Sequence, residues 1–181
     1  MLALLPGVAP ALELEGVKVP GSVQLKEGGA VLPLNGAGVR TKFFFKVYVG
    51  ALYLEQKTKS ALSAIGGAGF RRVAMYMLRD LGADQFVEAL EDGLKNNNSA
   101  ADLARFDAPV RQLRGIFDAL KTARTGDVIF LDYLPGAGTR ITVNGGIKGM
   151  IAGDDFSRAL LRIWLGDNPA DSDLKQGMLG G

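Results

Sequence analysis

Apolar and polar positions alternate in blocks that divide the chain into short strands and amphipathic helices. Leu12 to Val19 reads LELEGVKV, a period-two strand pattern interrupted by Gly16. Ser22 to Leu34 gives a second strand pair around the turn EGG at 27–29. Phe43 to Leu54 is the long strand, β-branched and aromatic. Strict alternation there puts Phe44, Lys46, Tyr48, Gly50 and Leu52 on one face, and Phe43, Phe45, Val47, Val49, Ala51 and Tyr53 on the other. Lys59 to Ala64 is a short helix ended by GGAG, and Phe70 to Leu78 is a strand. Ala83 to Asn96 is an amphipathic helix with Phe86, Leu90 and Leu94 at helical spacing. Asn96 to Asn98 read as a loop, after which Ser99 caps the next helix with Asp102 at the capping-box position. Val110 to Leu120 continues helical.

The last third reads as a meander. Gly126 to Leu134 is a strand, Pro135 to Gly138 a turn, and Thr139 to Val143 the returning partner. Asn144-Gly145 is a strong hairpin signal, followed by a strand from Ile147 to Ile151. Asp154 to Leu165 is the last helix, expected to be capped by Asp154 or Asp155 and ended by Gly166. The tail after Pro169 is expected to be loose. Strands, then helices, then strands and a helix give the α+β class: one antiparallel sheet with helices gathered on one side.

Composition narrows the chemistry. The 181 residues suit one domain, and 48% of them are hydrophobic, enough for a single core. Net charge is +2 with cations scattered among acids, so no nucleic-acid partner is expected. Cys and His are both absent. That removes disulfides, thiol nucleophiles, the commonest general base and the usual transition-metal ligands, and no metal site is expected. The glycine turns GAG at 36–38 and GAGTR at 136–140 lack dinucleotide-binding spacing. Residues 1–11 read as the back half of a secretory leader cut after Ala11, implying an exported, periplasmic protein; a plain apolar tail or short edge strand fits the same residues and leaves the cytoplasm open. Residues 12–181 then form the single domain. No stretch is long enough to be a transmembrane helix.

The run NGAGVRTKFFFKVYVGALYLE resembles the chalcone isomerase fold family, in its bacterial chalcone isomerase-like branch. RRVAMYMLRDLGADQFVEALEDGLKNNN, GDVIFLDYLPGAGTRITVNGG and DDFSRALLRIWLGDNP follow in the family's order, from Gly16 to about Pro169. The resemblance implies an open-faced sandwich, a large antiparallel sheet with helices layered on one face and a ligand cleft between them. It implies no cofactor, and a monomer is expected. The family's enzymes close a chalcone's phenol oxygen onto its enone, an intramolecular lyase reaction. They use an arginine, a threonine, a tyrosine and an asparagine. By the same resemblance these fall on Arg40, Tyr48, Phe86 and Gly93, so only the arginine is retained.

Noncatalytic members of the family grip a fatty acid's carboxylate with an arginine on this turn and a tyrosine on the next strand. Arg40 with Tyr48 or Tyr53 matches that pattern, and Phe86 and Leu90 would cover the tail. A guanidinium offers paired donors to a carboxylate fork. Tyr48 and Tyr53 are five residues apart on a strand, so at most one faces the cleft, and the alignment selects Tyr48. The expected ligand set is therefore Arg40, Tyr48, Tyr53, Phe86, Leu90 and Gly93, around a fatty acid or a polyphenol-like molecule. The alternatives are a ring-closing enzyme with Arg40 as its catalytic residue, and a protein whose cleft is filled. An Arg40 that bonds turn carbonyls or Asp80 is the structural reading of the same residue.

Overall fold

The computed structural model describes residues 10–25 and 29–181. The leader expected over residues 1–11 falls almost wholly outside these, as does most of the turn at 27–29. The described chain contains β1 (Leu12–Leu14), β2 (Val17–Val19), β3 (Ser22–Gln24), β4 (Val31–Lys42) and β5 (Phe45–Leu54). These are followed by α1 (Ala61–Gly66), β6 (Arg71–Met77), β7 (Leu81–Gly82), α2 (Ala83–Asn97), α3 (Ala100–Arg105) and α4 (Asp107–Leu120). The rest comprises β8 (Thr122–Ala123), β9 (Val128–Leu134), β10 (Gly138–Val143), β11 (Gly146–Ile151), α5 (Asp154–Leu165) and α6 (Ser172–Met178). Seven strands form one antiparallel sheet in the order β11-β10-β9-β6-β5-β4-β3. No helix among the described residues is long and apolar enough to cross a membrane.

The sheet has two buried faces. On the helical side, Leu52, Val73, Met75, Leu131 and Ile141 pack against Leu90, Leu94, Leu160 and Trp164 of α2 and α5. On the outer side, Val49, Ala51, Tyr53 and Ala74 form a smaller cluster with Val19 and Leu32. That outer face holds a buried charge row across β6, β9 and β10. Arg72 grips Asp132 with two bonds of 2.6 and 2.9 Å, and Arg140 adds one of 2.7 Å. Three charges taken from water in this way are tolerable because each carboxylate oxygen has a donor.

Four local expectations are corrected. The glycines at 36 and 38 form no turn: β4 runs unbroken through them. They are needed because α6 lies directly on the strand. A Cβ at position 36 would sit 2.1 Å from the Gly177 carbonyl oxygen, and one at position 38 would meet Leu174 at 3.1 Å. For the same reason the tail is not loose, since α6 buries Leu174 and Met178 against β4 and β5 and is capped by Asp171. The long strand begins at Phe45, because Phe43 and Phe44 form a two-residue turn with φ of 48° and 66°. Finally, α5 is preceded by Gly153 and has no side-chain cap; Asp154 accepts instead from the Gly136 amide at 3.3 Å.

Candidate functional site

β4 and β5 bring Arg40 and Tyr48 directly opposite one another, with the next pair slipping to Thr41 and Lys46. That slip leaves Val47 as an extra residue in β5, a bulge that interrupts the alternation. Val47 and Tyr48 therefore both belong to the helical-side core. Lys46 does not share Tyr48's face as strict alternation implies; it pairs with Glu15, in the turn between β1 and β2, at 2.7 Å. Beyond the bulge the alternation resumes, so Tyr53 lies on the outer face, where its hydroxyl donates to the Pro20 carbonyl at 2.8 Å. The structure thus joins Arg40 to Tyr48 and separates both from Tyr53.

Tyr48 is fully packed. Its hydroxyl accepts a bond from the Trp164 indole nitrogen at 2.8 Å, tying the strand to α5. Burial raises its phenol above the ordinary value, and the nearby positive charge of Arg40 and the bonds from Trp164 and Arg40 pull the other way. The phenol is therefore neutral, a donor with its own proton to give. The Arg40 guanidinium carbon lies 5.7 Å from the centre of the Tyr48 ring. Its Nε is buried and has no hydrogen-bond partner among the described residues. Asp80 does not serve it, being bonded instead to the amide and hydroxyl of Thr125 at 2.8 and 3.0 Å.

The deep cleft between sheet and helices is filled. Phe86 stacks on Phe117 with ring centres 4.5 Å apart, and Leu90 is buried. Gly93 lies under α5, where an added Cβ would stand 2.7 Å from Ile163 Cγ2. These three therefore face the core rather than an open space. A cavity of about 410 Å³ lies at the mouth, between the β4–β5 hairpin and α2. Arg40, Val47, Phe45 and Leu81 line it on one side. The α2 wall is the stripe Gln85, Glu88, Ala89 and Asp92, one step around the helix from Phe86 and Leu90. Arg79 also lines it, its guanidinium 4.2 Å from the centre of the Phe45 ring. Sequence reading missed Arg79 and the Gln85–Asp92 stripe. The i, i+3, i+4, i+7 spacing of the stripe is visible in the sequence, but its polar character reads as solvated surface.

No group of three or more acidic side chains among the described residues is arranged to hold a metal. The cavity's chemistry is that of a cationic anchor at the edge of a partly apolar slot. Its volume falls within the range of about 300–1,000 Å³ usual for small-molecule sites.

Comparison with known proteins bears on the fold and the family. The structure resembles the crystal structure of a fatty-acid binding protein from Arabidopsis thaliana. The TM-score is 0.65 at 15% identity, over 87% of this chain and 95% of that one, which is a likeness of fold. A search of the curated proteins finds no match. The family model for chalcone isomerase-like proteins matches residues 11–180, nearly the whole sequence. The chain belongs to the chalcone isomerase-like family.

Proposed function

We propose that this protein binds a fatty acid or a similar anionic amphiphile, with the carboxylate at Arg40 and the tail in the cavity between the β4–β5 hairpin and α2. The observation that carries the reading is the state of Arg40. Its Nε is buried without a hydrogen-bond partner among the described residues, at the edge of a cavity of that size. A buried donor left unmet costs about 1–3 kcal/mol, which an arriving carboxylate relieves. Tyr48 is buried behind Arg40 and does not line this cavity; its hydroxyl accepts from Trp164 and holds β5 beside the strand that carries the anchor. Phe45, Val47, Leu81 and Ala89 offer apolar cover for the tail. The name of the Arabidopsis protein supports the same ligand class.

Ring closure is the weaker reading, because the positions where the family's enzymes carry a hydroxyl and an amide are Phe86 and Gly93. One is stacked against Phe117 and the other lies beneath Ile163. Neither can touch a substrate in the cavity, and electrostatic stabilisation of the developing charge would rest on Arg40 alone.

The test is a titration of delipidated protein with a medium-chain fatty acid and with the matching fatty alcohol. The acid is expected to bind and the alcohol to bind more weakly. Arg40→Ala is expected to lose roughly 10- to 100-fold in affinity for the acid and little for the alcohol, since a bond to a charged group contributes about 1.5–3 kcal/mol. A wild-type protein that ignores fatty acids, or an Arg40→Ala variant that binds them equally well, overturns the reading.

A further inference from the structure

The tip of the β4–β5 hairpin is built against the usual rules for such tips. Two-residue hairpin turns with positive φ at both positions favour Asn and Gly, which tolerate that conformation. Here both positions are phenylalanine, with φ of 48° and 66°. Their rings lie outside the core. Phe43 is 79% exposed, Phe44 is fully exposed, and the next residue, Phe45, is 58% exposed. Three consecutive exposed aromatics on a strained turn form an apolar patch of the kind that marks an interaction site.

The surroundings of the tip are cationic. Lys42 stands 5.7 Å from the Phe43 ring centre and Arg79 is 4.2 Å from that of Phe45. Lys42, Arg79 and Arg40 make no ion pair among the described residues, while Lys46 on the far side is held by Glu15. The hairpin from Thr41 to Lys46 contains no acid. The acids nearby, Asp80, Glu88 and Asp92, belong to the turn after β6 and to α2. Aromatic rings with free cations behind them match a bilayer surface, where rings settle at the headgroup level and Lys or Arg meets anionic headgroups.

We propose that the Phe43–Phe44–Phe45 tip docks the protein on an anionic lipid surface, with the rings inserted and Lys42 and Arg79 against the headgroups. Lys42, Phe43 and Phe45 also line the cavity. Docking by the tip therefore turns the cavity mouth toward the lipid, where an amphiphile can pass between bilayer and protein. The docking itself does not depend on what the cavity holds.

The experiment is flotation of the full chain with vesicles of phosphatidylcholine plus phosphatidylglycerol, and with vesicles of phosphatidylcholine alone. The wild type is expected to float with the mixed vesicles, to float poorly with the neutral ones, and to release as salt rises. The double variant Phe43→Asn, Phe44→Gly keeps the turn, relieves its strain and removes the rings. It is expected to lose at least about tenfold in vesicle binding, and Lys42→Glu with Arg79→Glu to lose a similar amount. The proposal fails if the wild type stays unbound, floats equally with neutral vesicles, or is matched by the double variant. It also fails if sedimentation shows a dimer that the double variant dissolves while no vesicle binds. Arg40→Ala separates the two readings: it is expected to weaken fatty-acid binding by roughly 10- to 100-fold and to leave vesicle flotation largely intact.

Discussion

The hydrogen bond from Trp164 to Tyr48 fixes much of the site at the scale of single residues. It joins β5 to α5 across 116 positions of sequence, with both side chains almost fully buried. Removing the acceptor strands an indole N–H in the core. Tyr48→Phe is therefore expected to cost about 1–3 kcal/mol of stability, read as a lower urea midpoint at unchanged slope. Tyr53→Phe is the contrast: it frees the Pro20 carbonyl, a partly buried acceptor with capacity to spare, and the hydroxyl of Tyr76, and is expected to cost less. An equal loss in the two variants would show that the Trp164 bond has no special weight. The separation of Tyr48 from Tyr53 onto opposite faces was legible in the sequence, because five residues of strand divide them, whereas the bulge at Val47 was not. The filling of the cleft was not, because it depends on Ile163 meeting Gly93 and Phe117 meeting Phe86, contacts between helices that no local pattern encodes.

At the scale of elements, the β4–β5 hairpin sets a cost in backbone strain against an exposed surface. Holding a residue other than glycine in the left-handed region costs of order 1–3 kcal/mol. The double variant Phe43→Asn, Phe44→Gly relieves this at two positions and gives up the weak contact of Lys42 with the Phe43 ring, about 0.5–1 kcal/mol. Its thermal midpoint is expected to rise, by an amount equivalent to about 1–2 kcal/mol. A midpoint that falls would mean that the rings support the fold, and the docking argument would lose its premise. The same hairpin marks the limit of what the sequence reveals. The β10–β11 turn was legible because Asn144-Gly145 carries its own conformational preference; it forms with φ of 49° and 82°. The Phe43-Phe44 turn has the same geometry from residues that prefer strands, so it reads as more strand. α6 was hidden for a different reason. Seven residues cannot form a stable helix alone, and this one exists because Gly36 and Gly38 let it settle on β4.

At the scale of the whole molecule, the absence of histidine sets the response to pH. No side chain has an ordinary pKa in the neutral range, so stability is expected to be flat between about pH 5 and 9. The acid limb comes from groups such as Asp80 and Asp102. The bonds from Thr125 to the first, and from Arg105 and Ser99 to the second, hold their carboxyls below the usual value. Their contribution is present above that value and is lost as pH falls through the folded one. The alkaline limb comes from the phenols. Burial raises Tyr48, Tyr53, Tyr76 and Tyr133 above their ordinary value of 10.0. Above about pH 10 the unfolded chain gives up these protons while the folded chain keeps them, so stability falls with rising pH. Burial of Arg71, lowered to about 10, and of Arg140 works in the opposite sense over the same window, and the four phenols outnumber them. Urea midpoints followed across the pH range, with phenolate absorbance in parallel, test this. The expected record is a plateau, a drop above about pH 10, and phenolate signal that appears only as the chain unfolds. Phenols that ionise in the folded protein near 10 would break the argument. No side chain has an ordinary pKa within the plateau, so any change in fatty-acid binding there is expected to come from the ligand's own carboxyl rather than from the protein.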